Sequence, residues 1–241
     1  MLTFKDLRKN LKIRREKPQI WLLEKEKVGY IQIPKVATRS IQHAMVRHLV
    51  SDSAINDNAI DKKLIKTIES QYSAHMSLRQ IRRDIKGHYF LFGFVRNPVT
   101  RIYSCYKNKV LDQRKTGGRN ILSNHGIHLD MDFPAFVDTI IKIPDRKIDR
   151  HLRSLAWFLS DAEGLVVDYV GKLETFRDDW EYLRSLYGLQ IPVHHNKSSH
   201  ARKMSTVCSK TTLEKIIGRY TRDIELFGYQ QAVDEILREY Q

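Results

Sequence analysis

The feature that most constrains the fold is the apolar run YFLFGFV (residues 89–95), which ends abruptly at Arg96. A continuous apolar run of this length is typical of a strand covered on both faces, as in a parallel sheet. Pro98 then opens a pattern of helical period, PVTRIYSCYKNKVL, and proline is well tolerated in the first turn of a helix. The stretch predicts a buried strand that brings an arginine to the sheet edge and continues into a helix.

A second stretch of the same kind lies upstream. The strand pattern VGYIQI (residues 28–33) is followed by Pro34 and by a polar turn that contains Lys35, Thr38, Arg39 and Ser40. A helical pattern extends from Thr38 to about residue 50, and the first turn of a helix binds anions through unpaired N–H groups and its positive dipole end. The turn therefore predicts a phosphate site, although it lacks both glycines of a Walker loop. The alternative is an ordinary N-cap with a solvated lysine.

Arg96 and Ser104 predict a second anion site. Ligands of parallel sheets bind beyond the carboxyl ends of the strands, where Arg96 would lie. Ser104 follows eight residues later, about two helical turns. An arginine fork donates two parallel hydrogen bonds to a phosphate, and the serine hydroxyl can add a third. The alternative is that Arg96 pairs with a carboxylate and Ser104 is a packed hydroxyl.

The remaining patterns predict an α/β fold in a single domain over residues 1–241, with a basic segment at residues 1–18. Strand patterns occur in QIWLL and LVVDYVGKLE, and helical patterns include RHLRSLAWFL (150–159), TFRDDWEYLRSLYG and two segments near residues 211–226 and 231–240. Because strands alternate with helices, we expect a central, mainly parallel sheet with helices on both faces, in three α/β/α layers.

Charge and cysteine content limit the partners. The chain has 42 Lys and Arg against 28 Asp and Glu, a net charge of +14, which favours an anionic partner such as nucleic acid, acidic polysaccharide, anionic lipid or a phosphorylated cofactor. Its two cysteines, Cys105 and Cys208, show no zinc-ligand spacing, and although they could form one disulfide, their small number favours a reducing compartment. No apolar run is long enough to span a bilayer, and the first residues lack a secretory signal pattern.

Several segments resemble one enzyme family. IPKVATRSI (33–41) resembles the 5′-phosphosulfate loop of sulfotransferases, and FVRNPVTRIYSCY (94–106) resembles their 3′-phosphate segment. DYVGKLETFRDDW, HHNKSSH and YTRDIELFGY resemble the carbohydrate sulfotransferases, including bacterial members, and the likeness runs in order from about residue 28 to 229. The turn reads KVATRS where many members have KTGTTS, so Val36 and Arg39 replace smaller or hydroxyl-bearing residues.

This resemblance implies a P-loop-like fold and a reaction. Such enzymes move a sulfuryl group from 3′-phosphoadenosine 5′-phosphosulfate (PAPS) to a carbohydrate hydroxyl without a metal. His75, in SAHMSLRQIR, would take the acceptor proton, and Lys35 would stabilise the leaving phosphate. The residues implied in donor binding are Lys35, Val36, Ala37, Thr38, Arg39, Ser40, Arg96, Ser104, Asn196, Lys197 and Ser198.

Other implied features are less specific. His151 and Arg153 resemble a segment near the acceptor in related enzymes, the alternative being an ordinary helix face. For Asn196–Ser198 the alternative is a solvated basic loop. The implied partner is a glycan or polysaccharide, and the positive charge suits an acidic one. Animal relatives carry a membrane anchor, and because no anchor pattern occurs here we expect a bacterial cytoplasmic enzyme. The basic residues 1–17 permit peripheral membrane association, the favoured alternative being a solvated terminal helix that packs on the domain.

Two other functions compete with sulfuryl transfer. The basic surplus also suits a nucleic-acid-binding module, but the lysines and arginines are scattered, and no recognition motif is evident. A kinase-like phosphotransferase with an unusual phosphate loop would need a carboxylate for magnesium at the sheet edge, for which Asp168 is a candidate. We expect no nucleic-acid partner and no metal.

Overall fold

The computed structural model describes residues 17–50, 60–192 and 203–240. Of these, residues between 17 and 95 and between 158 and 192 form one compact unit, the sheet unit. Those between 96 and 157 and between 203 and 240 form another, the helical unit. The basic residues 1–16 and the predicted donor-binding segment 196–198 lie outside the described residues.

Every strand among the described residues belongs to the sheet unit. Their bounds are β1 (Gln19–Leu23), β2 (Val28–Gln32), β3 (Ser73–His75), β4 (Phe90–Val95), β5 (Ser160–Asp161), β6 (Gly164–Leu165) and β7 (Tyr169–Lys172). The α-helices of the described residues are α1 (Thr38–Leu49), α2 (Lys62–Tyr72), α3 (Leu78–Asp84), α4 (Pro98–Tyr106), α5 (Asp112–Thr116), α6 (Phe133–Ile140), α7 (Ala156–Leu159), α8 (Phe176–Tyr187), α9 (Lys210–Arg219), α10 (Thr221–Leu226) and α11 (Gln230–Arg238). A π-helical stretch, Lys107–Leu111, joins α4 to α5, and Ser123–His125 and Met204–Thr206 are 3₁₀ turns.

The central sheet is mixed, with strand order β3-β1-β2-β4-β7. The β2–β4 and β4–β7 pairs are parallel, whereas β1 runs antiparallel to both of its neighbours. The prediction of a mainly parallel sheet is therefore correct for the β2–β4–β7 half only. The physical reason is the short turn EKEK (residues 24–27) between β1 and β2, since a parallel crossover needs a dozen or more residues.

An aromatic cluster covers one face of β4. Phe92 stacks on Tyr30 of β2 with ring centroids 5.2 Å apart, and Phe94 packs at 4.9 Å from Phe176 and 6.1 Å from Trp180 of α8. All five rings are buried. Burial of side chains this large contributes much of the stability of a core, so β2 and β4 are firmly held side by side.

Two of the helices predicted from the sequence differ from those in the structure. The helix predicted over residues 150–159 is wrong for its first part, because only α7 is helical and residues 150–155 are irregular. The helix predicted over 211–226 is two helices, α9 and α10, with a break at Tyr220. At residues 150–155 buried side chains bind the backbone: Tyr220 Oη, for example, donates to the carbonyl of Leu152 at 2.6 Å. In that segment the tertiary hydrogen bonds override the local helical pattern.

Candidate active site

The strands β2 and β4 end at the same edge of the sheet. They pair in parallel with Ile31 opposite Gly93, and they end at Gln32 and Val95. The polar turn that contains Lys35 follows β2, and Arg96 is the residue after β4. Both predicted anion-binding segments therefore begin where parallel strands end, which is where open α/β sheets bind ligands.

The turn between β2 and α1 is strained. Lys35 and Ala37 have φ angles of 72° and 59°, in the left-handed region, although neither is glycine. Each such residue costs about 1–2 kcal/mol, and backbone strain of this kind is concentrated at functional sites. Val36 between them is fully buried and fixes the turn to the core. The turn thus has a defined shape that local preferences alone do not favour.

The first turn of α1 lacks a side-chain cap. Its N-cap residue is Ala37, whose side chain makes no capping hydrogen bond, and no acidic residue lies in the first turn. The hydroxyl of Thr38 points elsewhere: it donates to the carbonyl of Ile33 at 2.6 Å. The structure therefore differs from the ordinary N-cap that was the alternative reading. A helix start of this kind retains the N–H groups and the dipole that attract an anion.

Strand pairing places His75 in the same row of the sheet as two buried glutamines. Gln19 pairs with Gln32 on one side and with His75 on the other, so the three residues form one row across the sheet. Gln32 Nε2 donates to Gln19 Oε1 at 3.0 Å, and Gln19 Nε2 donates to Ser73 Oγ at 2.9 Å. His75 ends β3, which runs in the same direction as β2, and its backbone is two strand spacings, about 10 Å, from that of Gln32.

His75 itself is loosely held. It is exposed on an edge strand, and its Nδ1 lies 3.4 Å from the carbonyl oxygen of Lys17. His75 lies at the end of β3, before the next helix and not in its first turn. The helix α3 has its N-cap two residues later at Ser77, where a capping box with Gln80 fixes its start.

Arg96 and Ser104 both belong to the first part of the helical unit. Arg96 is half-buried and its Nε donates to Thr100 Oγ1 at 3.0 Å. Asn97 caps α4 by accepting the N–H of Val99 at 2.9 Å. Ser104 is half-buried on the same helix, so its packed-hydroxyl alternative stays open.

The residues predicted near the acceptor have different environments. Arg153 is fully buried, and its Nε donates to the carbonyl of Ile148 at 3.1 Å, which favours support of the surrounding loop over direct contact with an acceptor. The side chain of His151 is 24% exposed, and its Nδ1 lies 2.6 Å from Asp149 Oδ1. Burial raises the pKa of Asp149, but the hydrogen bonds and charge of His151 outweigh it and lower that pKa to about 2.

Sequence reasoning missed Asp149 and the buried residues Arg101 and Asp223. An Asp-x-His pattern was visible in DRH, residues 149–151, but the pattern alone does not show that the two side chains meet. Nothing in the sequence marks Arg101 as fully buried, because it lies among other basic residues in a helical pattern.

Asp168 is not where a kinase-like site requires it. Its Oδ2 accepts the N–H of Leu91 at 2.8 Å, so it lies near the amino end of β4, away from the carboxyl ends of the strands. Within residues 17–50, 60–192 and 203–240, no group of three or more His, Cys, Asp or Glu side chains is arranged to hold a metal ion. In the same part of the chain, no helix is long and apolar enough to cross a membrane.

Comparison with known proteins places the chain in a family. Residues 18–230 match the family model described as the sulfotransferase family. Carbohydrate sulfotransferase 14 of Danio rerio is 23% identical over 223 residues, which cover 83% of this chain and 59% of the relative. The Homo sapiens protein of the same name is 22% identical over 219 residues, with 83% and 57% covered. Carbohydrate sulfotransferase 10 of Xenopus laevis is 23% identical over 244 residues, with 88% and 68% covered.

The chain spans less than three fifths of the length of the first two of these relatives. No solved structure shows a significant match. The family match covers most of the sequence, including both strand–turn–helix segments, and it confirms the resemblance seen in their residues. The chain therefore belongs to the sulfotransferase family.

Proposed function

We propose that this protein transfers a sulfuryl group from PAPS to a hydroxyl group of a carbohydrate. Family membership supports the reaction, and the names of the carbohydrate sulfotransferase relatives support the acceptor class. The observation that carries the proposal is the strained, uncapped turn between β2 and α1, with Lys35 in it. Sulfuryl transfer, like phosphoryl transfer, depends mainly on in-line positioning and on neutralising charge at the leaving oxygen.

In this proposal the turn binds the 5′-phosphosulfate. Lys35 stabilises the oxygen that leaves with the phosphate, and the backbone N–H groups of residues 36–40 donate to the phosphate oxygens. Because Thr38 donates its hydroxyl hydrogen to Ile33, it can offer the donor only lone pairs, so backbone donors carry more of this binding than the hydroxyl does. Val36, which is fully buried, contributes through its backbone alone. The proposed set in the turn is Lys35, Val36, Ala37, Thr38, Arg39 and Ser40.

Arg96 and Ser104 are proposed to bind the 3′-phosphate, and Asn196, Lys197 and Ser198 to close over the nucleotide. Their residue types support these roles, because a guanidinium and hydroxyls are strong phosphate ligands. The acceptor hydroxyl must also lose a proton, and the resemblance gives this step to His75. Its position at the carboxyl end of β3, in the row of Gln19 and Gln32, is compatible with that role.

The proposal also includes the type of fold and the charge of the acceptor. The strand–turn–helix from β2 to α1 would correspond to a P-loop-like element, within a sheet that lies between two helical layers. The net charge of +14 supports an acidic polysaccharide as acceptor, since a basic surface raises the local concentration of an anionic chain.

The donor-binding part is tested by thermal unfolding with 3′-phosphoadenosine 5′-phosphate, the donor product, and with adenosine 5′-monophosphate, which lacks the 3′-phosphate. At a concentration 100 times its Kd, a ligand of the native state stabilises it by about 2.7 kcal/mol. We expect a clear rise in Tm with the bisphosphate and a smaller one with the monophosphate. Arg96→Ala should abolish this difference, and Lys35→Ala should weaken both ligands.

The matched control is Lys66→Ala, which removes an exposed lysine of α2 and should leave both shifts unchanged. A wild-type Tm that does not respond to the bisphosphate would contradict the proposed donor. Equal losses in Lys66→Ala and Lys35→Ala would show that the lysines act only through net charge.

A further inference from the structure

The helix α2 of the sheet unit has a basic outer side. It packs on α1 and β1 and buries Ile65 between them. Its exposed side lines an open depression of about 470 Å³, and we call the residues that line it the lysine face: Lys62, Lys63, Lys66, Thr67 and Ser70. The face therefore offers three cations and two hydroxyls to a ligand from solvent.

The charge of the lysine face is largely unbalanced. Among the residues that the structure describes, no ion pair involves any of its three lysines. Glu69 is turned toward α1, where its Oε1 accepts from Gln42 Nε2 at 3.2 Å. Asp61 caps the helix and accepts the N–H groups of Lys63 and Leu64 at 2.9 and 2.8 Å. Because these N–H groups are already bonded, an anion at this face would be bound by side chains.

The positions of the three lysines are unfavourable for the helix itself. Lys66 is four residues from Lys62 and three from Lys63, and like charges at these spacings destabilise a helix. Lys62 and Lys63 also lie in the first turn, where the positive end of the helix dipole repels cations. A bound polyanion would remove both effects, so the arrangement favours an anionic ligand.

The two hydroxyls indicate which kind of anion fits. Thr67 Oγ1 donates to the carbonyl of Lys63 at 3.1 Å, and Ser70 Oγ donates to the carbonyl of Thr67 at 2.7 Å. Each hydroxyl has only one hydrogen, so both present lone pairs to a ligand. The phosphates of a nucleic acid backbone have no hydrogen to donate to them, whereas sugar hydroxyls do. Cations beside acceptor hydroxyls therefore suit an acidic carbohydrate.

The lysine face lies close to the residue to which the resemblance assigns the acceptor proton. The helix α2 ends at Tyr72 and leads directly into β3, which ends at His75. Ser73 Oγ fixes the junction by donating to the carbonyl of Glu69 at 2.7 Å. From the rise per residue of a helix and a strand, the Cα atoms of Lys66 and His75 are at most about 17 Å apart. A polysaccharide of several sugar units spans this distance.

We propose that the lysine face binds the polysaccharide acceptor through carboxylates of its uronic acid units. This rests on the function proposed above. Carboxylates are the acidic groups that a polysaccharide carries before it is sulfated, and they pair with Lys62, Lys63 and Lys66, while sugar hydroxyls donate to Thr67 and Ser70. The face holds the chain beside the place of transfer, so it sets acceptor affinity and takes no part in the chemical step.

The test compares two triple variants of equal net charge. One replaces Lys62, Lys63 and Lys66 with glutamine. The matched control replaces three exposed lysines of the helical unit in the same way: Lys115, Lys147 and Lys210. Binding is measured without donor, by fluorescence anisotropy at low and at physiological salt. The labelled probes are desulfated chondroitin and heparosan, which both contain uronic acid, the same polymers after chemical reduction of their carboxylates, and a DNA duplex.

A lysine close to an anionic surface strengthens binding by about 5-fold, so the lysine-face triple variant should bind both acidic polymers roughly 100-fold more weakly at low salt. The control should lose less than about 3-fold, and the carboxyl-reduced polymers should bind wild type and both triple variants equally weakly. Thr67→Val with Ser70→Ala should weaken polysaccharide binding by about 3-fold or more and leave DNA binding unchanged.

Transfer kinetics separate a docking surface from a catalytic one. With ³⁵S-labelled PAPS, the lysine-face triple variant should show a raised KM for the acceptor and an unchanged kcat at saturating acceptor. Glutamine is as good a helix former as lysine, so α2 should stay folded. The Tm shift with the bisphosphate should also persist, because the lysine face binds the acceptor and not the nucleotide.

Equal losses in the two triple variants would overturn the proposal, because net charge alone would then explain the binding. A wild-type protein that binds neither acidic polymer at low salt would also overturn it, as would tighter binding of DNA that depends on the same three lysines. If polymer binding depends on the lysine face but no sulfate is transferred, the face stands and the proposed function fails.

Discussion

Replacing Arg101 with methionine should destabilise the protein strongly, because this buried arginine binds two carbonyls of the 145–156 loop. Hydrogen bonds from a charged donor contribute about 1.5–3 kcal/mol each. The change also leaves Asp223 buried beside its two backbone donors, without the nearby cation; burial raises the pKa of Asp223 and Arg101 lowers it. Removing one partner of such a set costs about 3–5 kcal/mol, which is the loss we expect in the free energy of unfolding.

Urea unfolding followed by circular dichroism and tryptophan fluorescence measures this loss. Arg238→Met, at an exposed arginine of α11, is the matched control and should change the free energy by less than about 0.5 kcal/mol. Arg101→Lys keeps the charge but not the fork, so it should fall between the two. In Arg101→Met with Asp223→Asn the losses should be less than additive, because the second change removes the buried charge that the first leaves behind. A loss below about 1 kcal/mol in Arg101→Met would refute the reasoning.

Three other predictions concern the stability of the protein: the strain in the turn, the close packing at a glycine and the ionisation of Asp149. Ala37→Gly relieves a left-handed φ of 59° and should raise the free energy of unfolding by about 1 kcal/mol, measured in urea, whereas a loss would contradict the strain argument. Gly171→Ala places a Cβ 2.5 Å from the ring of Phe94 and should destabilise by about 1–3 kcal/mol, whereas Gly218→Ala in α9 meets no atom within 4 Å and should be neutral or slightly stabilising. Burial raises the pKa of Asp149 but its hydrogen bonds lower it to about 2 from 3.8, so the folded state binds this proton less tightly than the unfolded state does. The carboxylate therefore contributes about 2 kcal/mol above pH 4, lost as the pH falls toward 2; a stability difference between wild type and Asp149→Asn that does not change over this range would contradict it.

The parts of the fold that follow from local sequence were predicted well. The apolar run at residues 90–95 is β4, and Pro98 begins α4. Gly188, in the left-handed region, ends α8, as a C-terminal glycine commonly does. In each case a short-range signal decides the structure, so one sequence is enough to read it.

The rest depends on contacts between distant residues. The loop at 150–155 has a helical pattern, but Arg101 and Tyr220, more than 45 residues away, bind its carbonyls. In the candidate site, the pattern predicted a polar turn at Lys35 but not the left-handed backbone on either side of the buried Val36. Such long-range hydrogen bonds and packing leave no periodic signal in the sequence.

The central claim is that a sulfuryl group moves from the donor to a carbohydrate. The most direct measurement uses PAPS labelled with ³⁵S in the sulfate and ³²P in the 5′-phosphate, incubated with the protein, desulfated glycosaminoglycans and excess EDTA. The account predicts ³⁵S on the polysaccharide and all ³²P in the nucleotide product. Label from ³²P on the polysaccharide, or ³⁵S found only in donor and free sulfate with every acceptor tried, would contradict it.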